Sequence, residues 1–188
     1  MTHLTYLDSV VPLPLMPLPV VGPSFLHLRG MPQAIACLPG ARVWGPEGAR
    51  VRRKKIAWTG ELSAAGWPYQ DELPLLELGG MAKVREVLFL HKASRTLIVT
   101  DLCFNLLDAS GLGARFILGL FGTYQRFGVS RLFLRFVTDR VRFEASLNQL
   151  FAWEFDDIAI SHGRPIAGGG RARLLAALQE RGHCKDVK

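Results

Sequence analysis

The 188-residue sequence contains only three cysteines, and they lie far apart along the chain. Cys37, Cys103 and Cys184 form no Cys-x-x-Cys pair, so the sequence predicts neither a disulfide framework nor a thiolate zinc site. This cysteine usage is typical of a reducing compartment, and we expect a cytoplasmic location. Acidic residues are also scarce, because 16 Asp and Glu stand against 23 Lys and Arg and leave a formal charge of +7.

The sequence also lacks an uninterrupted apolar segment that could form a membrane-spanning helix. The apolar run 10–21 contains four prolines, which would break a helix and leave its carbonyl groups unsatisfied in lipid. Residues 1–9 carry no lysine or arginine, unlike the start of a secretory signal peptide. We therefore expect neither a membrane partner nor a secretory signal.

Three common catalytic fingerprints are missing from the sequence. It has no G-x-S-x-G, no G-x-x-x-x-G-K-[ST], and no G-x-G-x-x-G at a strand-to-helix junction. The usual serine-hydrolase elbow, P-loop and dinucleotide site are therefore excluded. The triple glycine Gly168–Gly170 precedes a predicted helix, where a flexible lead-in is favoured over an anion site.

Apolar periodicity predicts alternating strands and helices, which is typical of one layered α/β domain. Strands are predicted at 84–91, 96–102 and 158–160, the first two as a hairpin, and helices at 111–127, 139–153 and 171–181. Residues 129–136 fit either a strand or an extension of the preceding helix. In the helix 139–153, Val141 is expected to face the core. We expect residues 1–21 to be an irregular, proline-rich N-terminus, residues 22–182 a single domain, and residues 183–188 a tail.

Five basic side chains form one block in the first third of the chain. They are Arg50, Arg52, Arg53, Lys54 and Lys55. Such a block can bind phosphates or another anionic ligand, but without an aromatic stacking motif or a helix-turn-helix pattern it is more often a solvated loop. Nucleic acid is therefore the least favoured partner, and an unknown small or anionic ligand is preferred.

Two polar residues stand where predicted strands end. Asp101 ends the second hairpin strand, where burial penalises a carboxylate unless it is paired, hydrogen-bonded or bound to a cation. His162 follows the strand 158–160, beside a tight turn. Structural roles stay open for both, Asp101 as a cap for the next segment and His162 as a hydrogen-bonded histidine. Taken alone, His27 is predicted to pack in the interior, and His91, at the hairpin turn, to be exposed.

Several segments resemble an uncharacterised domain-of-unknown-function family related to the metallo-β-lactamase-like hydrolases. The matching pieces are residues 22–27, 39–46, 86–105 and 161–165. The most specific is Ser94–Asp101, which reads Ser-Arg-Thr-Leu-Ile-Val-Thr-Asp. The resemblance covers most of the chain from Gly22 to the C-terminal helix.

The resemblance implies an αββα sandwich with a metal site at the sheet edges, where cations activate a water for hydrolysis. It implies that Asp101 is the family's bridging carboxylate and His162 its late histidine. The family signature H-x-H-x-D-H is expected near residues 23–29, where this sequence has His27 alone, and the middle histidine is missing from 79–83. Because residues 1–21 are short and proline-rich, we expect the N-terminal strands of the sandwich to be lacking. An exposed sheet edge would remain, through which a homo-oligomer can form.

The number of ligands separates the functions that this resemblance implies. A hydrolytic zinc needs three protein ligands and an open position, and a two-metal site needs more. His27, Asp101 and His162 supply at most three. The favoured expectation is a degenerate domain with a binding or structural role, no enzyme activity, and no cofactor or one weakly bound divalent metal such as zinc. The alternative is a hydrolase of a small ester, lactone or phosphate that uses a metal-bound hydroxide, and the second alternative is a basic nucleic-acid-binding module.

Overall fold

The computed structural model describes residues 19–108 and 111–187, which form an α/β fold with two β-sheets. The strands are β1 Pro19–Val21, β2 Arg42–Gly45, β3 Gly60–Glu61, β4 Leu75–Glu77, β5 Val87–His91, β6 Thr96–Val99 and β7 Asp157–Ile160. The helices are α1 Met31–Cys37, α2 Ala49–Arg52, α3 Leu112–Phe121, α4 Arg131–Leu134, α5 Arg140–Phe151 and α6 Gly170–Glu180. A one-turn 3₁₀ helix, Phe25–His27, follows β1.

The first sheet contains three parallel strands in the order β1-β2-β3. Parallel neighbours need a crossover connection, and α1 and α2 lie in these connections. Pro19 begins the edge strand β1, where a residue without an N–H group is tolerated. The 3₁₀ helix with His27 therefore starts just beyond the carboxyl end of an edge strand.

The second sheet has the order β4-β5-β6-β7. β4, β5 and β6 are antiparallel neighbours, so the predicted hairpin is confirmed, and β7 runs parallel to β6. Val99 pairs with Ile160 at the last position of the β6-β7 ladder. Because parallel strands end at the same edge of a sheet, continuing this register by two residues places Asp101 opposite His162.

Alternation along β5 explains how the two sheets pack. Leu88 and Leu90 belong to the main core, which also contains buried side chains of α5 and α6. Val87 and Phe89 point the other way and pack with Trp44 of β2. Side chains of both sheets thus share one apolar cluster, while residues of α5 and α6 pack on the other face of β5.

Three local predictions between residues 111 and 153 are wrong. The helix predicted to run to Phe127 ends at Phe121, because Gly122 adopts the left-handed conformation (φ 72°) that ends a helix. Residues 131–134 form the separate helix α4, which is neither a strand nor an extension of the preceding helix, and the Ser130 hydroxyl accepts the N–H of Leu132 as an N-cap. Val141 is 81% exposed, since α5 turns Phe143 and Leu147 to the core instead.

The structure differs from the predicted domain limits at both ends. Residues 19–21, expected to be irregular, form β1 and pair with β2, while residues 1–18 lie outside the described residues. In the predicted tail, His183 and Cys184 are buried, and the Glu144 carboxylate of α5 accepts from His183 Nδ1 at 2.7 Å and from the Cys184 amide at 3.1 Å. Within the described part of the chain, no helix has the length and apolar character needed to cross a membrane.

Candidate metal-binding site

His27, Asp101 and His162 come together at one edge of the molecule. Nε2 of His27 lies 3.3 Å from Asp101 Oδ1 and 3.2 Å from Oδ2. Nε2 of His162 lies 3.2 Å from Oδ1 of the same carboxylate. The ligand atoms of the three side chains all lie within 4.8 Å of one another. The structure therefore brings together all three metal-ligand candidates that the sequence offered.

The fold explains why these residues meet. The β6-β7 register places Asp101 beside His162, as described above. The segment after β1 is tied to the second sheet by two backbone hydrogen bonds, in which the Phe25 amide donates to Val84 and the Val87 amide donates to Pro23, at 2.8 and 2.7 Å. These bonds hold the 3₁₀ helix across the gap between the sheets and carry His27 to the carboxylate.

Asp101 is the buried centre of the cluster. Its carboxylate accepts from the hydroxyl of Ser24, which is fully buried, at 3.3 Å, in addition to facing the two imidazoles. Burial by itself would raise the pKa of Asp101. The hydrogen bonds from His162 and His27 outweigh burial and hold the pKa of Asp101 well below its usual range. The carboxylate is therefore ionised at neutral pH and directed at the two rings, rather than capping the following segment.

The carboxylate of Asp101 also changes the titration of His27. Its hydrogen bond to Asp101 raises the pKa of His27, and the negative charges of Asp101 and Glu86 add to this, while burial opposes it. A proton on His27 is therefore held more firmly than on a free histidine. Any cation that binds Nε2 must displace that proton, so cation binding weakens as the pH falls.

Glu86 supports the turn that carries Asp101. This side chain is fully buried, and its Oε1 accepts the backbone amides of Thr100, Asp101 and Leu102 at 2.8, 3.0 and 3.3 Å. Burial, together with the nearby charge of Asp101, raises the pKa of Glu86 to about 7, although the three amides oppose this change. Glu86 thus fixes the backbone from which the Asp101 side chain projects.

The ring of His162 is held by a stacking contact, and the backbone around it by two hydrogen bonds. The ring of Phe104 stacks on it with centroids 4.8 Å apart and an interplanar angle of 11°. The backbone around it is bonded to the segment after Asp101, because the Asn105 amide donates to the His162 carbonyl at 2.9 Å and the Arg164 amide donates to the Asn105 carbonyl at 3.0 Å. The imidazole is therefore held in one orientation before any ligand arrives.

The cluster is accessible from solvent on its histidine side. The side chains of His27 and His162 are 27% and 34% exposed, whereas that of Asp101 is 10% exposed. A cavity of about 260 Å³ lies beside the two strand ends and is lined by Thr100 and Ser161, which precede Asp101 and His162, and by apolar side chains of β1, β5 and β6. Thr100 Oγ1 is buried there without a hydrogen-bond partner among the described residues.

The separations between each imidazole nitrogen and the Asp101 carboxylate suit a divalent cation such as zinc, and all three ligand atoms lie within 4.8 Å of one another. Zinc takes histidine nitrogen and carboxylate oxygen at about 2.0–2.2 Å, and a tetrahedral site then separates neighbouring ligand atoms by roughly 3.3–3.5 Å. The two imidazole nitrogens lie at 3.2 to 3.3 Å from the Asp101 oxygens. Without an ion, the same separations serve hydrogen bonds from the imidazole N–H groups to the carboxylate.

Other candidate ligands lie elsewhere or are unsuitable. Within residues 19–108 and 111–187, no second group of three potential metal ligands was found. His91 is exposed at the hairpin end and contacts Ser94, as the sequence predicted. Burial raises the pKa of the Cys103 thiol well above its usual range, so this neighbour of Asp101 stays a thiol rather than a thiolate ligand.

The basic block lies beside the candidate site without entering the cluster. Its five side chains are exposed, on α2 and the turns that follow. Arg50 donates to the carbonyl of Trp58 at 3.0 Å, and the guanidinium of Arg52 lies 3.9 Å from the ring centroid of Phe25. Arg52 thus contacts the 3₁₀ helix that carries His27.

Sequence reasoning missed two residues of the site. Ser24 and Glu86 are both fully buried, and both contact the segment of Asp101. Glu86 did leave a signal, because an acidic residue directly before a strand as apolar as Val87–Leu90 must be paired or neutralised. Ser24 left none, since serine is common in turns.

Comparison with known proteins adds no relative to this description. No protein-family model matches the chain, and no curated protein matches it.

Proposed function

We propose that the protein binds one divalent cation, with zinc as the first candidate, through His27, Asp101 and His162. The observation that carries this proposal is the convergence of three side chains that are distant in the sequence. His162 and His27 lie 61 and 74 residues from Asp101 along the chain. Their ligand atoms fall within 4.8 Å of one another. Three protein ligands leave coordination positions open for water or for a bound molecule.

We further propose that the domain is a degenerate relative of the metallo-β-lactamase-like αββα sandwich. Supporting this, side chains of both sheets share one apolar cluster, α5 and α6 contribute to the core on one side, and Met31 and Ala49, which begin α1 and α2, pack on the other. The candidate ligands follow strand ends, as the resemblance implies. Three ligands are too few for the two-metal site of a full hydrolase, so binding is the favoured role.

The ligand that we propose for this site is a small anion with an apolar part. A bound divalent cation supplies positive charge that attracts an anionic group and polarises its oxygen atoms. Arg52 adds positive charge on the side of the 3₁₀ helix. The neighbouring cavity of about 260 Å³ has mainly apolar walls, so it can hold a short acyl or aryl group.

One observation also favours a second candidate, hydrolysis of a small ester, lactone or phosphate. Two histidines and one carboxylate form the ligand set of several hydrolytic zinc sites. A cavity is lined by Thr100 and Ser161, the residues that directly precede two of the three candidate ligands. This candidate requires one tightly held equivalent of metal and turnover that disappears with the metal. The binding role requires neither.

Metal analysis and a zinc titration test the proposal. We expect well under one equivalent of zinc, iron and manganese in the purified protein, and saturation at one equivalent when zinc is added. Asp101→Ala should weaken binding by more than about a hundredfold, because even the loss of a partner behind a ligand costs about 10- to 100-fold. His91→Ala is the matched control, since this exposed histidine lies at the hairpin, and its zinc affinity should equal that of the wild type.

Other outcomes of the same experiment contradict the proposal. Two tightly held equivalents would indicate a dinuclear centre, and the absence of saturable binding would remove the site. One tightly held equivalent together with ester, lactone or phosphate turnover would establish the hydrolase instead.

Location and partners complete the proposal. Cys37, Cys103 and Cys184 are free thiols, in keeping with the cytoplasmic location that we propose. β1 is an edge strand of the first sheet, which is where a second copy could pair. Nucleic acid stays the least favoured partner, because Arg50 and Arg52 of the basic block are engaged with the body of the protein.

A further inference from the structure

Helix α3 presents an apolar face to solvent. Leu112, Phe116 and Leu120 are 86%, 73% and 61% exposed, and Ile117 is 52% exposed. The first three are four residues apart, so they form one stripe along the helix. Soluble monomers seldom concentrate such large apolar side chains on one exposed helix, and such patches usually mark an interaction site.

The opposite side of α3 is attached to the protein only along a narrow edge. Ala114, Leu118 and Phe121 are half-buried, and no residue of the helix is fully buried. The helix packs against α4, where Leu132 adds a 40% exposed side chain. Within residues 19–108 and 111–187, the wider face of α3 therefore does not serve the core, and burying it requires an occupant from outside these residues.

The charge of this region indicates what kind of partner fits. Residues 109–138 contain no aspartate or glutamate, and their four basic residues are Arg115, Arg126, Arg131 and Arg135. Arg115 borders the apolar stripe on α3, and Arg131 and Arg135 flank Leu132 at the two ends of α4, all three exposed. Arg126 is paired with Glu180. Arg115, Arg131 and Arg135 thus place positive charge on two helices that have no acidic residue of their own, while Glu180 of α6, which pairs with Arg126, also interacts with Arg131.

We propose that α3 and α4 form a docking surface for an anionic membrane. A helix with an apolar stripe and neighbouring arginines lies in the plane of the bilayer, with the stripe at the boundary between headgroups and acyl chains. Anionic headgroups then pair with Arg115, Arg131 and Arg135. This mode requires no spanning helix. The proposal therefore replaces the expectation of no membrane partner, which was based on the lack of a spanning segment. It is independent of the proposed cation site.

The same charges make a second copy of the chain a poor occupant of this face. Two copies meeting through α3 and α4 would bring six arginines to one interface with no acidic residue of either helix to pair with them. An anionic lipid surface provides the missing negative charge and also the apolar phase that the stripe requires.

Vesicle co-sedimentation tests this proposal. We expect the full-length protein to bind vesicles of phosphatidylcholine with phosphatidylserine, and to bind phosphatidylcholine alone far more weakly. Phe116→Ser should weaken binding to the anionic vesicles by about tenfold or more, because it removes a large apolar side chain from the stripe. Arg115→Gln should weaken it by about fivefold, and added salt should have a similar effect.

Val141→Ser is the matched control for the apolar variants. Val141 is 81% exposed but lies on α5, so its replacement should leave vesicle binding unchanged. Far-ultraviolet circular dichroism and the melting temperature of each variant establish that it is folded. Equal binding to neutral and anionic vesicles, or equal binding by the wild type and Phe116→Ser, would overturn the proposal. Lipid-free self-association that Phe116→Ser abolishes, measured by analytical ultracentrifugation, would assign the face to a second copy.

Discussion

At the scale of single residues, Glu86 shows how burial and a neighbouring charge together raise the pKa of a carboxyl group. Its carboxyl has a pKa of about 7 in the folded protein, because of burial and the charge of Asp101, against 4.5 for an ordinary glutamate. Between these two values the unfolded chain has lost its proton while the folded chain keeps it. Folding is therefore favoured by protonation here, and the free energy of unfolding falls as the pH rises through this window.

Replacement of Glu86 by glutamine tests this linkage. Between pH 4.5 and 7 the wild type should lose about 3 kcal/mol of unfolding free energy through Glu86, since one pKa unit corresponds to about 1.4 kcal/mol. Glu86→Gln keeps an oxygen for the three backbone amides but cannot titrate, so its stability should lack this loss. The measurement is urea unfolding of both proteins at several pH values, because their difference cancels the titration of other groups. A difference that stays constant with pH would contradict the linkage.

The candidate residues differ in how far the sequence alone could identify them. Asp101 and His162 could be predicted because each is a polar residue directly after an apolar strand, and the parallel register then brings them together. His27 entered through the resemblance, since an isolated histidine near a turn has no distinctive pattern. Glu86 and Ser24 contact Asp101 from 15 and 77 positions away. The place of Glu86 before an apolar strand indicates that it is paired but does not identify the partner, and Ser24 has no such signal.

At the scale of elements, the turn after β7 determines where His162 points. Gly163 has φ 116°, and a Cβ atom there would meet the backbone carbonyl of Asn105. Both features favour glycine, since other residues adopt this conformation only with strain. Gly168 also has a positive φ, 74°, but a Cβ atom there would meet nothing within 4 Å. A comparison of substitutions at the two glycines therefore separates the free-energy cost of backbone strain from the cost of a steric clash.

Alanine substitutions at these two glycines should have different effects. Gly168→Ala should cost about 1–2 kcal/mol through backbone strain alone. Gly163→Ala should cost about 1–3 kcal/mol more, because the turn must also move away from Asn105. It should lower zinc affinity as well, since the movement displaces His162, whereas Gly168→Ala should not. Thermal unfolding and zinc titration of both variants provide the test, and equal effects on zinc affinity would show that the turn does not position the histidine.

The predictions for whole elements succeeded where the signal was long or well punctuated. Apolar runs with clear ends predicted the hairpin, β7, α5 and α6. At the start of α5, for example, the Asp139 carboxylate accepts the Arg142 amide as an N-cap. Both alternatives predicted for residues 129–136, a strand and an extension of the preceding helix, failed. There the Ser130 cap and the burial of Phe133 favour a single helical turn. Such short elements are decided by tertiary contacts rather than by local periodicity.

At the scale of the whole molecule, the three side chains of the proposed cation site come from both sheets. His27 follows β1 of the first sheet, whereas Asp101 and His162 follow β6 and β7 of the second. The sequence predicted an α/β domain, and the structure has one. Which strands pair within each of the two sheets could not be predicted from composition, because pairing depends on contacts between residues that are distant in sequence.

A cation bound between the sheets should stabilise the entire fold. At a free zinc concentration of one hundred times the dissociation constant, the free energy of unfolding should rise by about 2.7 kcal/mol. The gain should shrink as the pH falls, because the raised pKa of His27 lets protons compete with zinc. Chemical unfolding with and without zinc measures this gain. Asp101→Ala should show none of it, and an equal gain in that variant would place the stabilising zinc elsewhere.

The location of zinc in the loaded protein is the most direct test of the central claim. In a crystal of the zinc-loaded protein, anomalous diffraction at the zinc edge should give one peak that lies about 2.0–2.2 Å from Nε2 of His27, Nε2 of His162 and an oxygen of Asp101. A peak at any other set of side chains, or two peaks at this edge of the molecule, would contradict the single three-ligand site.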